Sequence, residues 1–99
     1  MSNKIASKRY SVALFATVKN EDLDSLLADV QSLSESLKES QELSSLLKSP
    51  LTKNEIKSNI LLKVISGLTS EKILVGLINT LKKNKRLNLF ENILHEFQD

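Results

Sequence analysis

Residues 23–37 have the sequence LDSLLADVQSLSESL, and the spacing of their apolar residues decides the fold class. Leucine and valine recur at the three- and four-residue intervals of one helical stripe, at Leu23, Leu26, Leu27, Val30, Leu33 and Leu37. A half-buried strand would instead alternate apolar and polar residues. Glu21, Asp22 and Asp24 lie near the start of the stretch, where the helix dipole favours negative charge. The stretch therefore predicts an amphipathic helix that packs one face against a core.

The same spacing predicts helices on either side of this stretch. A first helix is expected over about residues 5–19, and a short third helix over about residues 43–47. Ser40 is only a weak break between the second and third helices. The pair Ser49-Pro50 ends the third helix, because proline disfavours helical geometry at the residue before it. The boundary between the second and third helices stays open at this point.

A fourth helix is expected to begin after the proline. Thr52 and Glu55 have the spacing of a capping box, in which a hydroxyl and a carboxylate accept hydrogen bonds from free backbone N–H groups. Gly67 is expected to end this helix, because glycine adopts the left-handed conformation that often follows a last turn. The residues expected to face inward are Ile56, Ile60, Leu61, Val64 and Ile65.

Two more helices complete the chain. Thr69 or Ser70 is expected to cap a fifth helix that extends to about Lys83, and Asn84 can adopt the left-handed conformation that ends it. The inward residues of the fifth helix are Ile73, Leu74, Leu77, Ile78 and Leu81. Those of the sixth helix are Leu87, Leu89, Phe90, Ile93, Leu94 and Phe97. The sequence therefore predicts an all-α, single-domain bundle of about six short helices over residues 1–99.

The composition agrees with a small helical protein and excludes several classes of function. Two glycines and one proline are too few turn residues for a β-rich fold of 99 residues. The absence of cysteine excludes disulfides and cysteine-bound zinc. The formal net charge of +2 is too small to require nucleic acid or an anionic membrane as a partner. No apolar run approaches the roughly 20 residues that span a bilayer, so we expect no direct membrane insertion.

No group of residues suggests catalysis. His95 is the only histidine, and without a second histidine or a cysteine a metal ion would need carboxylates around it. The serines and carboxylates are spread along polar helix faces, with no base predicted beside a nucleophile. No glycine-rich loop is present to bind phosphate. We therefore expect a protein that is not an enzyme and that has no catalytic residue, cofactor or metal.

One charged segment has two explanations. The run Lys82-Lys83-Asn84-Lys85-Arg86 either contacts the phosphates of a nucleic acid or places cations at a helix C-terminus, where the dipole favours them. Aromatic residues, which stack on bases in many nucleic-acid complexes, make up only 4% of the chain. The second explanation is the simpler one, and a small nucleic-acid-binding domain remains as the alternative.

The first helix is apolar on more than one side. At about 100° per residue, Ile5, Val12 and Ala16 share one side, whereas Leu14 and Val18 lie nearly opposite. Between the two sides runs a stripe of small residues and one tyrosine, made of Ala6, Tyr10, Ala13 and Thr17. A surface helix in a small domain has only one side to bury, so the second apolar side needs an explanation.

The fifth helix has a similar line of residues beside its inward face, namely Ile73, Gly76, Thr80 and Lys83. Gly76 costs about 1 kcal/mol relative to alanine inside a helix, which a close contact at that position would explain. Either both helices are buried all round, or they form a groove for the amphipathic helix of a partner. In the second case Arg9, Lys72 and Lys83 supply charges at the rim.

Three segments of the chain also resemble one protein family. The first is Ile5-Ala6 followed by Arg9-Tyr10 and Ala13-Leu14. The second is Leu46–Pro50, continuing to Ile56-Lys57 and Leu61-Leu62. The third has an Asn-x-Arg-Leu turn and comprises Leu77, Leu81, Asn84, Arg86-Leu87, Leu89-Phe90, Ile93 and Phe97. In this order and separation, they resemble the N-terminal domain of the delta subunit of bacterial F-type ATP synthases, the counterpart of the mitochondrial oligomycin-sensitivity-conferring protein.

The resemblance implies a six-helix bundle that binds the N-terminal helix of an alpha subunit through its first and fifth helices. Tyr10, Ala13, Gly76 and Thr80 fall at the contact positions of the family. The full set of expected partner-binding residues is Ala6, Arg9, Tyr10, Ala13, Thr17, Ile73, Gly76, Thr80 and Lys83. The implied role is that of a stator in the peripheral stalk of a proton-translocating ATP synthase, on the cytoplasmic face of the bacterial inner membrane. It keeps the catalytic head from turning and needs no nucleic acid.

The chain departs from the family in two ways. Family members usually have glycine where Lys85 stands, so Asn84 is expected to take over the left-handed conformation. They also continue into a C-terminal domain that binds the b subunits and that is absent from these 99 residues. We therefore expect an N-terminal domain that is monomeric in isolation. A stand-alone adaptor that binds a different helix in the same groove is the remaining alternative.

Overall fold

A computed structural model describes residues 2–98 as six α-helices and one short 3₁₀ turn. The helices are α1 (Ser2–Thr17), α2 (Asn20–Glu39), α3 (Gln41–Lys48), α4 (Asn54–Val64), α5 (Glu71–Lys83) and α6 (Phe90–Gln98), and the 3₁₀ turn is Leu87–Leu89. Residues 2–98 contain no strand, which confirms the predicted all-α bundle. Within the same range, no helix has both the length and the apolar content needed to cross a membrane.

The sixth helix is the centre of the packing. Both α1 and α2 pack against α6, whereas α4 packs against α5 and α3 packs against the 3₁₀ turn. Phe90 begins α6, is only 1% exposed, and is the largest of the fully buried side chains. The Cα radius of gyration is 12.5 Å, close to the value of about 13 Å for a compact domain of 100 residues. One core therefore serves all six helices.

Polar contacts fix two of the helix pairs. The Glu91 carboxylate of α6 accepts a 2.6 Å hydrogen bond from Ser44 Oγ and lies 3.5 Å from Lys48 Nζ, so α3 is attached to α6. Asp29 Oδ2 of α2 accepts a 2.8 Å hydrogen bond from the backbone N–H of Ser70, at the start of α5. The Asp29 bond ties the start of α5 to the middle of α2.

The boundary that the sequence left open, between the second and third helices, lies at Ser40. This residue has extended backbone angles, φ −115° and ψ 90°, and its hydroxyl oxygen accepts a 3.3 Å hydrogen bond from Leu43 N–H. Ser40 therefore ends α2 and caps α3. Ser49 is also extended, with φ −69° and ψ 126°, as expected for the residue before Pro50.

The start of α4 differs from the prediction. The helix begins at Asn54, its N-cap is Lys53, and this cap makes no side-chain hydrogen bond, so the predicted capping box of Thr52 and Glu55 is wrong. With this start, Ile56 is 48% exposed rather than inward, and Lys57 is only 4% exposed. The long stem of lysine can cover apolar surface that a shorter side chain would leave open. Desolvation by burial lowers the pKa of Lys57 below its usual value.

Two positions elsewhere also refine the prediction. Leu27 belongs to the apolar stripe of α2 but is 36% exposed, because it lies at the edge of the buried face. Gly67 has φ +88° and so adopts the expected left-handed conformation after α4. Its N–H donates a 3.0 Å hydrogen bond to Glu71 Oε1 in the first turn of α5. The short connection between α4 and α5 is thus fixed by one glycine and one carboxylate.

The end of α5 corrects the expectation for Asn84. Asn84 has φ −89°, whereas Lys85 has φ +58° and is the left-handed residue. The N–H of Arg86 bonds to the Leu81 carbonyl at 2.8 Å, and the N–H of Lys85 bonds to the Lys82 carbonyl at 3.1 Å. This pair of bonds is a Schellman motif, in which the residue after the C-cap must be left-handed. Asn84 is the C-cap itself, so the left-handed conformation falls on Lys85.

Candidate partner-binding groove

The helix α1 buries two serines beside Leu14 and leaves several large apolar residues exposed. On the side that packs toward the core, Leu14 is 7% exposed, Ser11 is 6% exposed and Ser7 is fully buried. Away from this buried side, three large residues of α1 are 58–60% exposed, namely Ile5, Val12 and Phe15. The interpretation in which α1 is buried all round is therefore wrong. Several large apolar side chains exposed together on one helix are typical of an interaction surface.

A groove with a volume of about 350 Å³ lies between α1 and α5. Its lining consists of Tyr10, Ala13, Leu14 and Thr17 from α1, and of Lys72, Ile73, Gly76, Leu77 and Thr80 from α5. Leu14 and Leu77 are each 7% exposed and belong to the hydrophobic core, so they form the floor. The groove therefore opens directly onto the core, and small residues lie along both of its walls.

An adjoining hollow extends this groove along α1. It has a volume of about 510 Å³ and is lined by Ile5, Ala6, Arg9, Tyr10, Ala13 and Arg86. Tyr10 and Ala13 line both depressions, so the two are continuous, and we call them together the trough. At about 1.5 Å per residue, the stretch of α1 from Ala6 to Thr17 measures roughly 16 Å. The trough therefore has room beside α1 for about three turns of another helix.

Gly76 lies open in the wall of the groove. A Cβ atom built at Gly76 would meet no atom within 4 Å beyond its chain neighbours and its own helix backbone, so no packing among the described residues requires glycine there. The helical conformation does not require it either, because positive φ occurs only at Gly67 and Lys85 among the described residues. No close contact among the described residues explains this glycine.

The hydroxyl groups of the groove already have hydrogen-bond partners. Thr80 Oγ1 donates to the Gly76 carbonyl at 2.9 Å, and Thr17 Oγ1 donates to the Leu14 carbonyl at 2.9 Å. Such bonds to the preceding turn are common for threonine in helices. Because these donors are satisfied within their own helices, an apolar partner can cover them without leaving their protons unpaired.

The charges around the trough are all of one sign. Lys72 lines the groove, Arg9 and Arg86 line the adjoining hollow, and no acidic residue lines either one. The one ion pair among residues 2–98, between Lys48 and Glu91, joins α3 to α6 and is not part of the trough lining. The trough is therefore apolar along its length and positively charged at its edges.

The structure brings most of the predicted site residues together. Six of the nine line the groove, namely Tyr10, Ala13, Thr17, Ile73, Gly76 and Thr80. Ala6 and Arg9 line the adjoining hollow, whereas Lys83 is exposed but lines neither. The predicted set of nine omitted Leu14 and Leu77, which were assigned to the core, and Arg86, which was assigned to the basic run. It also omitted Ile5, and Lys72 was expected only as a charge at the rim. A signal existed for the two leucines, because each lies four residues after one member of the predicted site and three before another.

The surroundings of His95 and the basic run are weaker candidates for a functional site than the trough. His95 lies in a shallow polar hollow between α2 and α6, together with Gln31, Ser34, Glu35, Lys38 and Gln98. Across the described part of the chain, no three histidine or carboxylate side chains are close enough to hold a metal ion. In the basic run, residues 83–86 are exposed. Phe90 and Phe97 are both buried, so they are not available to stack on bases.

Comparisons with known proteins agree on one family. The family model described as "ATP synthase delta (OSCP) subunit" matches residues 6–99. The "ATP synthase subunit delta" of Chlorobaculum tepidum is 39% identical over 98 residues, which cover 98% of this chain and 54% of that protein. The protein of the same name from Chlorobium chlorochromatii is 37% identical over 100 residues, which cover 100% of this chain and 55% of that protein.

A third relative, the "ATP synthase subunit delta" of Chlorobaculum parvum, is 36% identical over 98 residues, or 98% of this chain and 54% of that protein. The chain spans about half the length of the curated relatives it matches. No solved structure matches it.

Proposed function

Because the chain belongs to the ATP synthase delta (OSCP) subunit family, we propose that it is a stator component of an F-type ATP synthase. It binds the N-terminal helix of an alpha subunit in the groove between α1 and α5, and it helps to hold the catalytic head static. The function is mechanical, and the domain transfers no chemical group. The observation that carries the proposal is the groove itself. Its small residues Ala13 and Gly76 leave open space above the floor, which is formed by core residues.

The shape and chemistry of the trough fit an amphipathic helix. A helix needs an apolar strip a few turns long, and the trough supplies one of roughly 16 Å along α1. Small side chains allow a close approach of two helices, and the satisfied threonine hydroxyls can be covered at little cost. Affinity then comes from the apolar face, whereas Arg9, Lys72 and Arg86 act mainly on the rate of association.

The proposal includes the place of the domain in the complex. The domain lies on the cytoplasmic face of the bacterial inner membrane as a peripheral part of the enzyme. The b subunits of the stalk bind a C-terminal domain outside these 99 residues, so the domain described here holds the head but does not by itself join it to the stalk. In isolation the domain is a monomer, and its groove binds one helix.

An NMR titration tests the groove directly. Isotope-labelled protein is titrated with a synthetic peptide of the alpha subunit's N-terminal helix, and backbone shifts are followed. We expect shifts confined to α1 and α5, centred on Tyr10, Ala13, Gly76 and Thr80. No shift at a large excess of peptide would remove the proposal. A short RNA added at that point would then test the basic run as a nucleic-acid site.

A substitution at Ala13 tests the same site from the side of the protein. Ala13→Asp places a carboxylate in the apolar wall of the groove, where a bound helix would leave it without a partner. We expect peptide binding to be lost while the circular dichroism spectrum stays helical, because Ala13 is exposed in the free domain. Ala28→Asp makes the same change at an exposed position of α2 that does not line the groove, and it should bind normally. Lost helicity in Ala13→Asp would show that Ala13 belongs to the core.

A further inference from the structure

The turn after α5 is joined to α1 by a single side-chain hydrogen bond. Asn84 Nδ2 donates to Tyr10 Oη at 2.9 Å. Among the described residues, this is the one side-chain hydrogen bond that joins α1 to another part of the chain. The side-chain bonds of Ser11 and Thr17 stay within α1, to the carbonyls of Lys8 and Leu14. The position of α1 relative to α5 therefore depends on this bond more than on any other polar contact.

The packing of α1 on α6 makes such a restraint useful. Its buried side has one large, nearly covered residue, Leu14, and two serines, Ser7 and Ser11. Ser7 Oγ is fully buried and has no hydrogen-bond partner, so it adds no directional contact. Small side chains on the inward face interlock less than leucines do, and thus they specify the rotation of the helix less strongly. Tyr10 is partly buried against the core, and the contact at the rim of the groove adds a directional restraint on its ring.

Asn84 is itself well fixed. Its N–H bonds to the Thr80 carbonyl at 3.1 Å, and the two bonds of the Schellman motif from Lys85 and Arg86 close the turn around it. The same turn brings Arg86 to the lining of the hollow, beside Tyr10. The turn therefore fixes the backbone of Asn84 and Arg86 relative to α5.

We propose that the turn at residues 82–86 is a positioning element of the trough. Asn84 holds Tyr10 at the junction between the groove and the hollow, and Arg86 offers a cation to an acidic side chain of the bound helix. This gives the basic run a role that requires neither nucleic acid nor the helix dipole alone. The identity of the bound helix rests on the proposed function, whereas the positioning of Tyr10 does not.

The positioning of Tyr10 can be measured without any ligand. The chain has one tyrosine and no tryptophan, so its intrinsic fluorescence reports on Tyr10 alone. We expect the decay of tyrosine anisotropy to show a larger nanosecond motion in Asn84→Ala than in the unchanged protein. Asn79→Ala, an exposed asparagine of α5 that does not line the trough, is the matched control and should leave the decay unchanged. Equal ring motion in Asn84→Ala and the unchanged protein would overturn the proposal.

The effect on binding is tested with the alpha-subunit peptide in a double-mutant cycle. Asn84→Ala and Tyr10→Phe should each weaken binding by about two- to threefold, the low end of the range for one hydrogen bond, because the bond is exposed to solvent. The double variant should bind no more weakly than either single variant, because both remove the same bond. Additive losses, or no loss in either single variant, would contradict the coupling.

Thermal unfolding of each variant distinguishes positioning from general stability. The midpoint should change little in Asn84→Ala, because the bond is exposed to solvent. A loss of binding that follows a loss of stability would therefore count against a positioning role. If the unchanged protein does not bind the peptide at all, the proposed function fails, and the anisotropy measurement still decides whether Asn84 positions Tyr10.

Discussion

Among single residues, Ser7 is the one whose environment conflicts most with its chemistry. Its hydroxyl oxygen is fully buried and has no hydrogen-bond partner. Leaving such a group unpaired costs about 1–3 kcal/mol. Ser11 lies one turn further along the same buried face, but its hydroxyl donates to the Lys8 carbonyl at 2.8 Å. The two serines therefore form a natural comparison at nearly equal burial.

Replacing Ser7 by alanine should stabilise the domain. Ser7→Ala removes the unpaired hydroxyl and adds the better helix former, so we expect the free energy of unfolding to rise by about 1 kcal/mol. For a domain of this size, that corresponds to a midpoint about 4–8 °C higher in thermal unfolding followed by circular dichroism. Ser11→Ala removes a satisfied hydroxyl and should change the midpoint much less. A lower midpoint for Ser7→Ala would mean that the hydroxyl has a partner after all.

Gly76 should show opposite effects on stability and on binding. A Cβ at this position meets open space, and alanine is favoured over glycine inside a helix by about 1 kcal/mol. Gly76→Ala should therefore raise the unfolding midpoint of the free domain while it weakens binding of the alpha-subunit peptide. Gly67→Ala provides the contrast, because Gly67 has φ +88° and the substitution should destabilise the domain. Unchanged peptide affinity in Gly76→Ala would show that no helix packs closely there.

At the level of elements, a substitution in the turn between α5 and α6 should make the domain more stable. Lys85 holds φ +58°, a conformation that costs a residue with a Cβ about 1 kcal/mol more than it costs glycine. Lys85→Gly should therefore raise the free energy of unfolding by about this amount, measured by denaturant titration. Lys85→Ala removes the same charge but keeps the steric cost, so it should not be stabilising. Equal effects of the two variants would assign the change to the charge instead.

The helix α1 shows how far a sequence can define one element. Its spacing revealed two apolar sides, and the structure confirms that one of them faces outward, since Val12 is 60% exposed and Leu14 is buried. Spacing could not tell which side would be covered, because Ser7 and Ser11 share the inward side with Leu14. That choice depends on the shape of α6, which is distant in the chain.

The ends of helices were harder to predict than their existence. The capping box at Thr52 failed because the N-cap of α4 is one residue later, at Lys53, and makes no side-chain bond. The left-handed residue after α5 was expected at Asn84 and is Lys85. In both cases a shift of one residue changes which backbone groups are free, and local composition does not determine such a shift.

At the level of the whole molecule, the sequence predicted the residues of the core, but it predicted the groove only in part. The apolar spacing of each helix identified most buried residues, because burial follows the helical period. That α1 and α5 face each other across a gap is a tertiary fact, and spacing alone left it undecided between a groove and full burial. The resemblance to a family implied that the two helices are α1 and α5. The open space at Gly76 is compatible with a partner that packs between them.

The charge of the trough leads to a prediction about the whole complex. Arg9, Lys72 and Arg86 border the trough, and no acidic residue lines it, so the partner helix should carry acidic residues near its ends. Exposed charges are screened over about 10 Å at 0.1 M salt. Raising the salt from about 50 mM to about 500 mM should therefore slow association several-fold and change dissociation much less.

Substitution of one rim charge tests whether this salt dependence arises in the trough. Arg86→Gln should slow association of the alpha-subunit peptide and reduce its dependence on salt, because one of the steering cations is removed. Lys63→Gln makes the same change in net charge at an exposed position on α4 that does not line the trough, and it should have a smaller effect. Stopped-flow kinetics at several salt concentrations separates the two rates. If both variants slow association equally, the steering comes from the net charge of the domain and not from charges at the trough.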